Sequence, residues 1–489
     1  MQFISLTFIV FFVAVCLLYY VCPQKFRYIW LLFASYTFYL SINVYYVLIL
    51  IISTLSTYIC GRMISGKEKV SEKRTPLIMC IVFNVLILGV FKYTNFFISS
   101  AFGVAGLFGF NGEFNALNII LPVGISFYMF QALGYIIDVY NGKIEAEKNF
   151  ALYALFVSFF PQIMSGPIER AGNMLPQFKK SAGFKYENMR DGLLLMMWGY
   201  FMKMVLADRM AVVVATVYDS YDKYYGTVTL VASILYTFEI YCDFAGYSNI
   251  AIGAAKVMGY NLMQNFESPY LSGSISGFWR RWHVSLSSWF RDYLYIPLGG
   301  NRRGTPRKYL NTMIVFAVSG LWHGANWTFV VWGLLHGFYQ IMGSVLMPLR
   351  NKIVSILKID RKAFSHKLIK IICTFMLVNI AWVFFRADTF KQAFDMIGHM
   401  FIMKPWVLSD GTLYNLGLDR PNFLLMIMGL IVLIVVDICN TKDIYIRDKI
   451  KKQGIWLRWG IYIAAVLFII TCGVWGPGYD SASFIYSQF

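Results

Sequence analysis

The chain has 489 residues, 58% of them hydrophobic and only 14% charged, with a formal net charge of +18. Soluble domains carry about 25% charged residues, so this composition excludes an ordinary soluble globular protein. The positive charge falls in short loops between apolar runs, as membrane topology demands, and nothing resembles a nucleic-acid module. The eight cysteines are scattered without a CxxC pair, which points to neither a zinc site nor a disulfide framework.

Several apolar runs approach or exceed the roughly 20 residues that cross a bilayer. Residues 1–21 form the first, expected as a retained helix because no basic region or small-residue cleavage site accompanies it. Lys25 and Arg27 follow and mark a cytoplasmic turn, which puts the N-terminus outside. The run 29–60 is too long for one span, and a break near Asn43 makes it two helices. Five basic residues, Arg62, Lys67, Lys69, Lys73 and Arg74, define the clearest cytoplasmic loop. The next run, 77–91, crosses outward, and 94–120, with Glu113 its one charge, is expected outside. Residues 121–140 return to Lys143 and Lys148.

The stretch 150–164 then runs into Ser165-Gly166-Pro167-Ile168-Glu169-Arg170 between basic flanks. A short apolar segment broken by Gly-Pro suits a re-entrant element, tolerated only where it is buried in protein or lines a cavity. A pocket is expected there. Residues 191–218 and 227–242 pair as a hairpin with an acidic outer loop at Asp219 and Asp222. Residues 280–308 are the most basic part and are expected in the cytoplasm. The run 313–347 carries no Lys, Arg, Asp or Glu and, with basic flanks on both sides, reads as a hairpin or a pair of broken helices. Runs at 371–385, 423–436 and 456–471 complete an all-α multi-pass bundle of roughly 11 spans with one or two re-entrant pieces. We read one integral-membrane domain over 1–489, with N-terminal helices (1–120), a core (121–390) and C-terminal helices (391–489). No internal repeat is evident.

The chemistry centres on His323, in Gly320-Leu321-Trp322-His323-Gly324-Ala325-Asn326. An ionisable side chain at membrane depth is expensive and marks function by default, and imidazole exchanges protons near neutral pH. The flanking glycines allow close approach of backbone or substrate. The stretch FWRRWHVSLSSWFRDYLY (278–295) places Phe278, Trp282, Leu286, Trp289 and Tyr293 on one helical face and Arg281, Ser285, Ser288 and Asp292 on another. It reads first as an amphipathic interfacial helix. That reading leaves out His283, which shares a strip with Trp279 and Phe290. Asp243 is expected to end a span, either orienting a histidine or, more commonly, pairing with Arg280 or Arg281. The basic turn with Asn301, Arg302 and Arg303 is first a topology anchor, although glycine amides and arginines also suit phosphates. His336, Glu239 and Glu169 are weaker candidates, and no metal site is expected. No nucleophile elbow, P-loop, dinucleotide fingerprint or HExxH is present. What remains is a buried histidine base suited to taking a proton from a hydroxyl.

At these residues the chain resembles the membrane-bound O-acyltransferase family, in its bacterial alginate O-acetyltransferase-like branch. The segments LPVGISFYMFQALGYIIDVY (121–140), FFPQIMSGPIER (159–170), YCDFAGYSNIAIGAAKVMGY (241–260), FWRRWHVSLSSWFRDYLYIPLGGNR (278–302), SGLWHGANWTFVVWGLLHG (319–337) and VFFRADTF (383–390) carry it, in that branch's order. The C-terminal FIYSQF (484–489) resembles the branch's tail, with Ser487 where an aromatic is usual. The resemblance implies that His323 is the catalytic histidine and that His283 matches the second invariant polar position. It implies no bound cofactor, a thioester donor such as acetyl-CoA, and acyl passage across a bacterial inner membrane. It also implies a separate extracytoplasmic SGNH-type partner and a polysaccharide or cell-wall polymer as acceptor. His283, Asn326 or backbone amides near Gly324 then become candidates for holding the oxyanion. Trp322, Trp282, Arg281 and Asp243 become candidate binding residues, and Asn301 to Arg303 candidate donor-phosphate contacts. The nearest alternative is a D-alanyl transferase for teichoic acid with a carrier-protein donor. A polysaccharide or lipid transporter is a further one, against which the missing repeat counts.

Overall fold

A computed structural model describes residues 1–109, 112, 116–180 and 183–475; Glu113 and the hexapeptide 484–489 lie outside these. Among the described residues all regular structure is helical. Helix α1 (Leu6–Val21) starts at Ser5, whose hydroxyl accepts from the Phe8 amide. It buries Phe8, Phe12, Val15 and Tyr19 and exposes Leu6, Val10, Val13 and Leu17. Helices α2 (Arg27–Leu40) and α3 (Val44–Ser65) break where the sequence suggests, and the Asn43 side chain caps α3 by accepting from the Tyr45 amide at 2.8 Å.

Helix α4 (Val70–Leu88) does not give way to an outer loop. It passes through a π-helical segment, Gly89–Tyr93, into α5 (Thr94–Leu107), a continuous helical stretch of 38 residues. The helix expected to end near residue 91 therefore continues to Leu107. Without Pro or a charge between 94 and 107 nothing stops the helix, and a π-bulge absorbs the misfit instead.

Helix α6 (Ile125–Tyr140) is buried over nearly its whole length. Beside it lie α7 (Phe150–Ser158) and the four-residue α8 (Phe160–Ile163), which leads through Gly-Pro to α9 (Ala171–Lys180). Residues 152–169 are all buried. Their irregular backbone finds partners inside the protein: the Ile168 amide donates to Ser285 Oγ at 3.0 Å and the Phe160 amide to Ser35 Oγ at 3.1 Å. The broken element is thus present as expected, but packed tight. A cleft of about 430 Å³ lies elsewhere, lined by apolar residues such as Trp198, Phe201, Met428 and Phe468.

Helix α10 (Tyr186–Tyr200), a second π segment (Phe201–Ala207) and α11 (Asp208–Tyr218) pack antiparallel to α12 (Thr227–Val257). The hairpin is the expected one. Helix α12, however, runs on to Val257, so Asp243 lies mid-helix rather than at the end of a span. The expected single helix over 278–295 is also corrected. It is α13 (Ile275–Trp279), a break, α14 (Val284–Phe290) and a third π segment (Arg291–Tyr295). The predicted apolar stripe is nonetheless buried at Phe278, Trp282, Leu286 and Trp289.

Helices α15 (Thr305–His323) and α16 (Trp327–Val345) form the hairpin read from the charge-free run, followed by α17 (Met347–Ile356). The chain closes with α18 (Phe364–Arg386), α19 (Phe390–Met400), α20 (Arg420–Asn440), α21 (Ile446–Lys451) and α22 (Ile455–Cys472). Helix α22 has no fully buried side chain, and its length and apolar composition suit a span facing lipid. Among the described residues six helical stretches are long and apolar enough to cross a membrane, and the bent pair α16–α17 makes a seventh. The figure of roughly 11 from the sequence also counts shorter or partly charged helices. This is a multi-pass membrane protein with its interior formed by α6, α7–α8 and α12.

Candidate active site

His323 is the last residue of α15, and the glycines on either side of the hairpin explain how it is held. A Cβ on Gly320 would lie 2.3 Å from the Phe329 carbonyl oxygen, and one on Gly333 2.1 Å from that of Phe316. Only hydrogen fits at either crossing, so α15 and α16 touch backbone to backbone. At the hairpin tip, Asn326 Oδ1 accepts from the Thr328 amide and its Nδ2 donates to the Asp388 carbonyl, both at 3.1 Å. Asn326 therefore fixes the turn to the α18–α19 connection. Its Oδ1 and one of its two N–H donors are engaged in this turn.

The His323 side chain is buried among rings. Trp322 and Trp332 lie with centroids 4.9 Å away, Phe385 at 5.4 Å and His283 at 6.5 Å. His283 occupies the break between α13 and α14 with φ 43° and ψ 54°. A left-handed backbone on a residue other than glycine costs about 1–3 kcal/mol and clusters where function holds it. Its ring meets Phe244 at 4.7 Å and Trp322 at 6.0 Å, and its Nδ1 is 3.5 Å from Ser285 Oγ. Ser285 Oγ in turn donates to Asn265 Oδ1 at 2.7 Å. Two imidazoles from separate elements thus lie 6.5 Å apart in a buried aromatic cluster, an environment in which proton transfer and charge stabilisation act with little screening.

Trp322 lies against both imidazoles, whereas Trp282 lies one layer further out, behind Trp382. Trp322 packs on Phe127 and Phe130, and Trp282 on Phe278 and Trp382. His336 belongs to the next layer, where its Nδ1 accepts from Trp279 Nε1 at 3.2 Å. Glu169 organises its own loop by accepting from the Met263 amide and Asn173 Nδ2. Arg281 is half-buried, and its carbonyl accepts from the Glu267 amide.

Asp243 does not do what the sequence suggested. It pairs with Lys203 at 2.6 Å, and Lys203 also holds Asp208 at 2.7 Å, all three side chains only 1–2% exposed. Arg280, by contrast, is exposed. Asn301, Arg302 and Arg303 are exposed on the turn before α15, where Tyr295 Oη donates to Asn301 Oδ1. They stand at the opposite end of α15 from His323, a rise of roughly 27 Å at 1.5 Å per residue. Among the described residues no cluster of three or more His, Cys, Asp or Glu could hold a metal.

Sequence reasoning passed over Lys92, the one charge between Arg74 and Glu113. Its ammonium donates to the Trp322 carbonyl and, at 3.2 Å, to Ser126 Oγ. The rule that marked the histidines, an ionisable group at membrane depth, applied equally to it.

Helices of this length around two buried histidines describe a polytopic membrane protein with a candidate site for proton transfer. Residues 144–386 match the profile of MBOAT, the membrane-bound O-acyltransferase family. The chain is 37% identical over 395 residues to the probable alginate O-acetylase AlgI of Azotobacter vinelandii, covering 80% of this chain and 76% of that protein. It is 36% identical over 408 residues to the peptidoglycan O-acetyltransferase of Helicobacter pylori, covering 76% and 73%. The teichoic acid D-alanyltransferase of Streptococcus thermophilus matches less well, 30% over 266 residues and half of this chain. The chain belongs to the membrane-bound O-acyltransferase family and is an O-acyltransferase.

Proposed function

We propose that the chain is a membrane O-acetyltransferase serving an extracytoplasmic polysaccharide or cell-wall polymer, with His323 as general base. The observation that carries this is the pair of buried imidazoles at 6.5 Å, one on a glycine-locked hairpin end and one on a strained backbone. The names of the relatives, alginate and peptidoglycan O-acetylating proteins, supply the polymer class.

In the reaction, His323 takes the proton of the acceptor hydroxyl as its oxygen bonds to the thioester carbonyl. The C–S bond then breaks, and the thiolate leaves with the proton that the imidazole returns. A positioned base of this kind contributes roughly 10²–10⁴-fold. His283, or amides near Gly324, stabilise the oxyanion. The donor is acetyl-CoA, whose phosphates suit Arg302 and Arg303, and its thioester must then reach along α15 to the histidines. The acceptor is either the polymer itself or an extracytoplasmic SGNH-type partner that completes the transfer. The chain lies in the bacterial inner membrane with its N-terminus extracytoplasmic, as the basic loops favour.

The test is the ester content of purified cell-surface polymers from cells carrying the wild-type chain, His323→Ala, or none. The expected result is loss of ester acetate in both altered strains with normal levels of folded His323→Ala protein. Loss of D-alanine esters instead would move the chain to the teichoic-acid reaction, and no change in either ester would refute the enzyme reading.

A further inference from the structure

The last turn of any helix leaves its carbonyls without intrahelical donors, and in α15 that turn carries His323. Two of these carbonyls are answered by consecutive residues of a distant helix. Tyr93 Oη donates to the Leu321 carbonyl at 2.9 Å, and Lys92 Nζ donates to the Trp322 carbonyl. Lys92 is also held by Ser126 Oγ at 3.2 Å, on the buried helix α6, and lies 5.6 Å from the centre of the Trp322 ring. Both donors come from the π-helical segment Gly89–Tyr93. The extra residue in a π turn shifts the side chains that follow it, and such turns concentrate at functional sites.

A cation at a helix C-terminus is favourable in itself. Burying a lysine merely to fill space is not, because an apolar side chain of the same length would do so without the desolvation cost. From this we infer that Lys92 and Tyr93 are positioning residues for His323, clamping the C-terminal turn of α15 so that the imidazole meets the acceptor hydroxyl at a fixed distance. The inference rests on the reading of His323 as the base. It assigns to the N-terminal helices, which lie outside the matched family profile at 144–386, a part in positioning the base.

The experiment measures the initial rate at which base-labile acetate appears on cell-surface polymer after induction, per amount of chain eluting as a single detergent-solubilised species. The variants are Lys92→Met, Lys92→Arg, Tyr93→Phe and His323→Ala. A misplacement near 1 Å costs on the order of 10²-fold, so Lys92→Met is expected to lose about that much. Lys92→Arg, which keeps a charged donor, is expected to recover to within about tenfold of wild type. Loss of one neutral hydrogen bond in Tyr93→Phe is expected to cost about fivefold. A space-filling role makes the opposite prediction, since Met fits and the larger Arg does not. Lys92→Met at the wild-type rate, or above Lys92→Arg, overturns the inference while an inactive His323→Ala leaves the base assignment intact. An active His323→Ala overturns both.

Discussion

Replacing Gly320 by Ala tests whether the hairpin geometry, rather than the histidine alone, makes the site. The added Cβ would stand 2.3 Å from the Phe329 carbonyl oxygen, where ordinary contact begins at 3.4 Å. The obstacle is backbone, so no side chain can turn away, and α16 must retreat by about 1 Å. Overpacking of this kind costs about 1–3 kcal/mol, and a 1 Å error in a catalytic group costs about 10²-fold in rate. The control is Gly343→Ala on α16, where a Cβ meets nothing within 4 Å and helix propensity gains roughly 0.5–1 kcal/mol. The assay pairs the rate of polymer acetylation with thermal unfolding of the detergent-purified protein. Gly320→Ala should unfold at a lower temperature and lose most activity, whereas Gly343→Ala should match or exceed wild type in stability and keep its rate. Wild-type activity in Gly320→Ala, or equal losses in both variants, would show that the backbone contact does not set the position of His323.

Two further outcomes follow from buried charge and backbone strain. Lys203→Met leaves Asp208 and Asp243 buried without their cation and should destabilise the fold by about 3–5 kcal/mol. Combining it with Asp208→Asn and Asp243→Asn should recover much of the folded yield by gel filtration; no difference between single and triple variants would contradict the pairing. At position 283, Asn tolerates the left-handed backbone and a β-branched residue does not. His283→Asn should therefore fold near wild type but acetylate poorly, while His283→Val should melt earlier as well. Equal melting temperatures for the two would refute the strained φ at this position.

Much of the molecule was legible from residue chemistry, and the failures have physical causes. The break at Asn43 carried its own cap, and the hairpin 313–347 announced itself by the absence of charge between two basic flanks. The aromatic stripe from Phe278 to Trp289 has the right period and is buried, yet period alone does not reveal that the chain snaps at His283 between two short helices. The π segments were invisible, since one extra residue in a turn barely disturbs a run that is apolar all round. Asp243 was assigned to Arg280 or Arg281, whereas its cation, Lys203, comes from the antiparallel neighbour α10–α11. Lys92 was legible and overlooked, because it falls in the two-residue gap between the runs 77–91 and 94–120.

If the basic turn grips the donor as proposed, its placement with His323 at the two ends of α15 makes that helix a spacer of set length and phase. One residue inserted into it would advance His323 by 1.5 Å and swing it by about 100° around the axis, away from His283. Seven inserted residues, about two turns, would restore the facing but carry the imidazole roughly 10 Å too far. Insertions should be tolerated in the exposed connection between α19 and α20 and excluded from α15, so the distance between where a donor is gripped and where its acyl group reacts is written into the count of residues from Thr305 to His323.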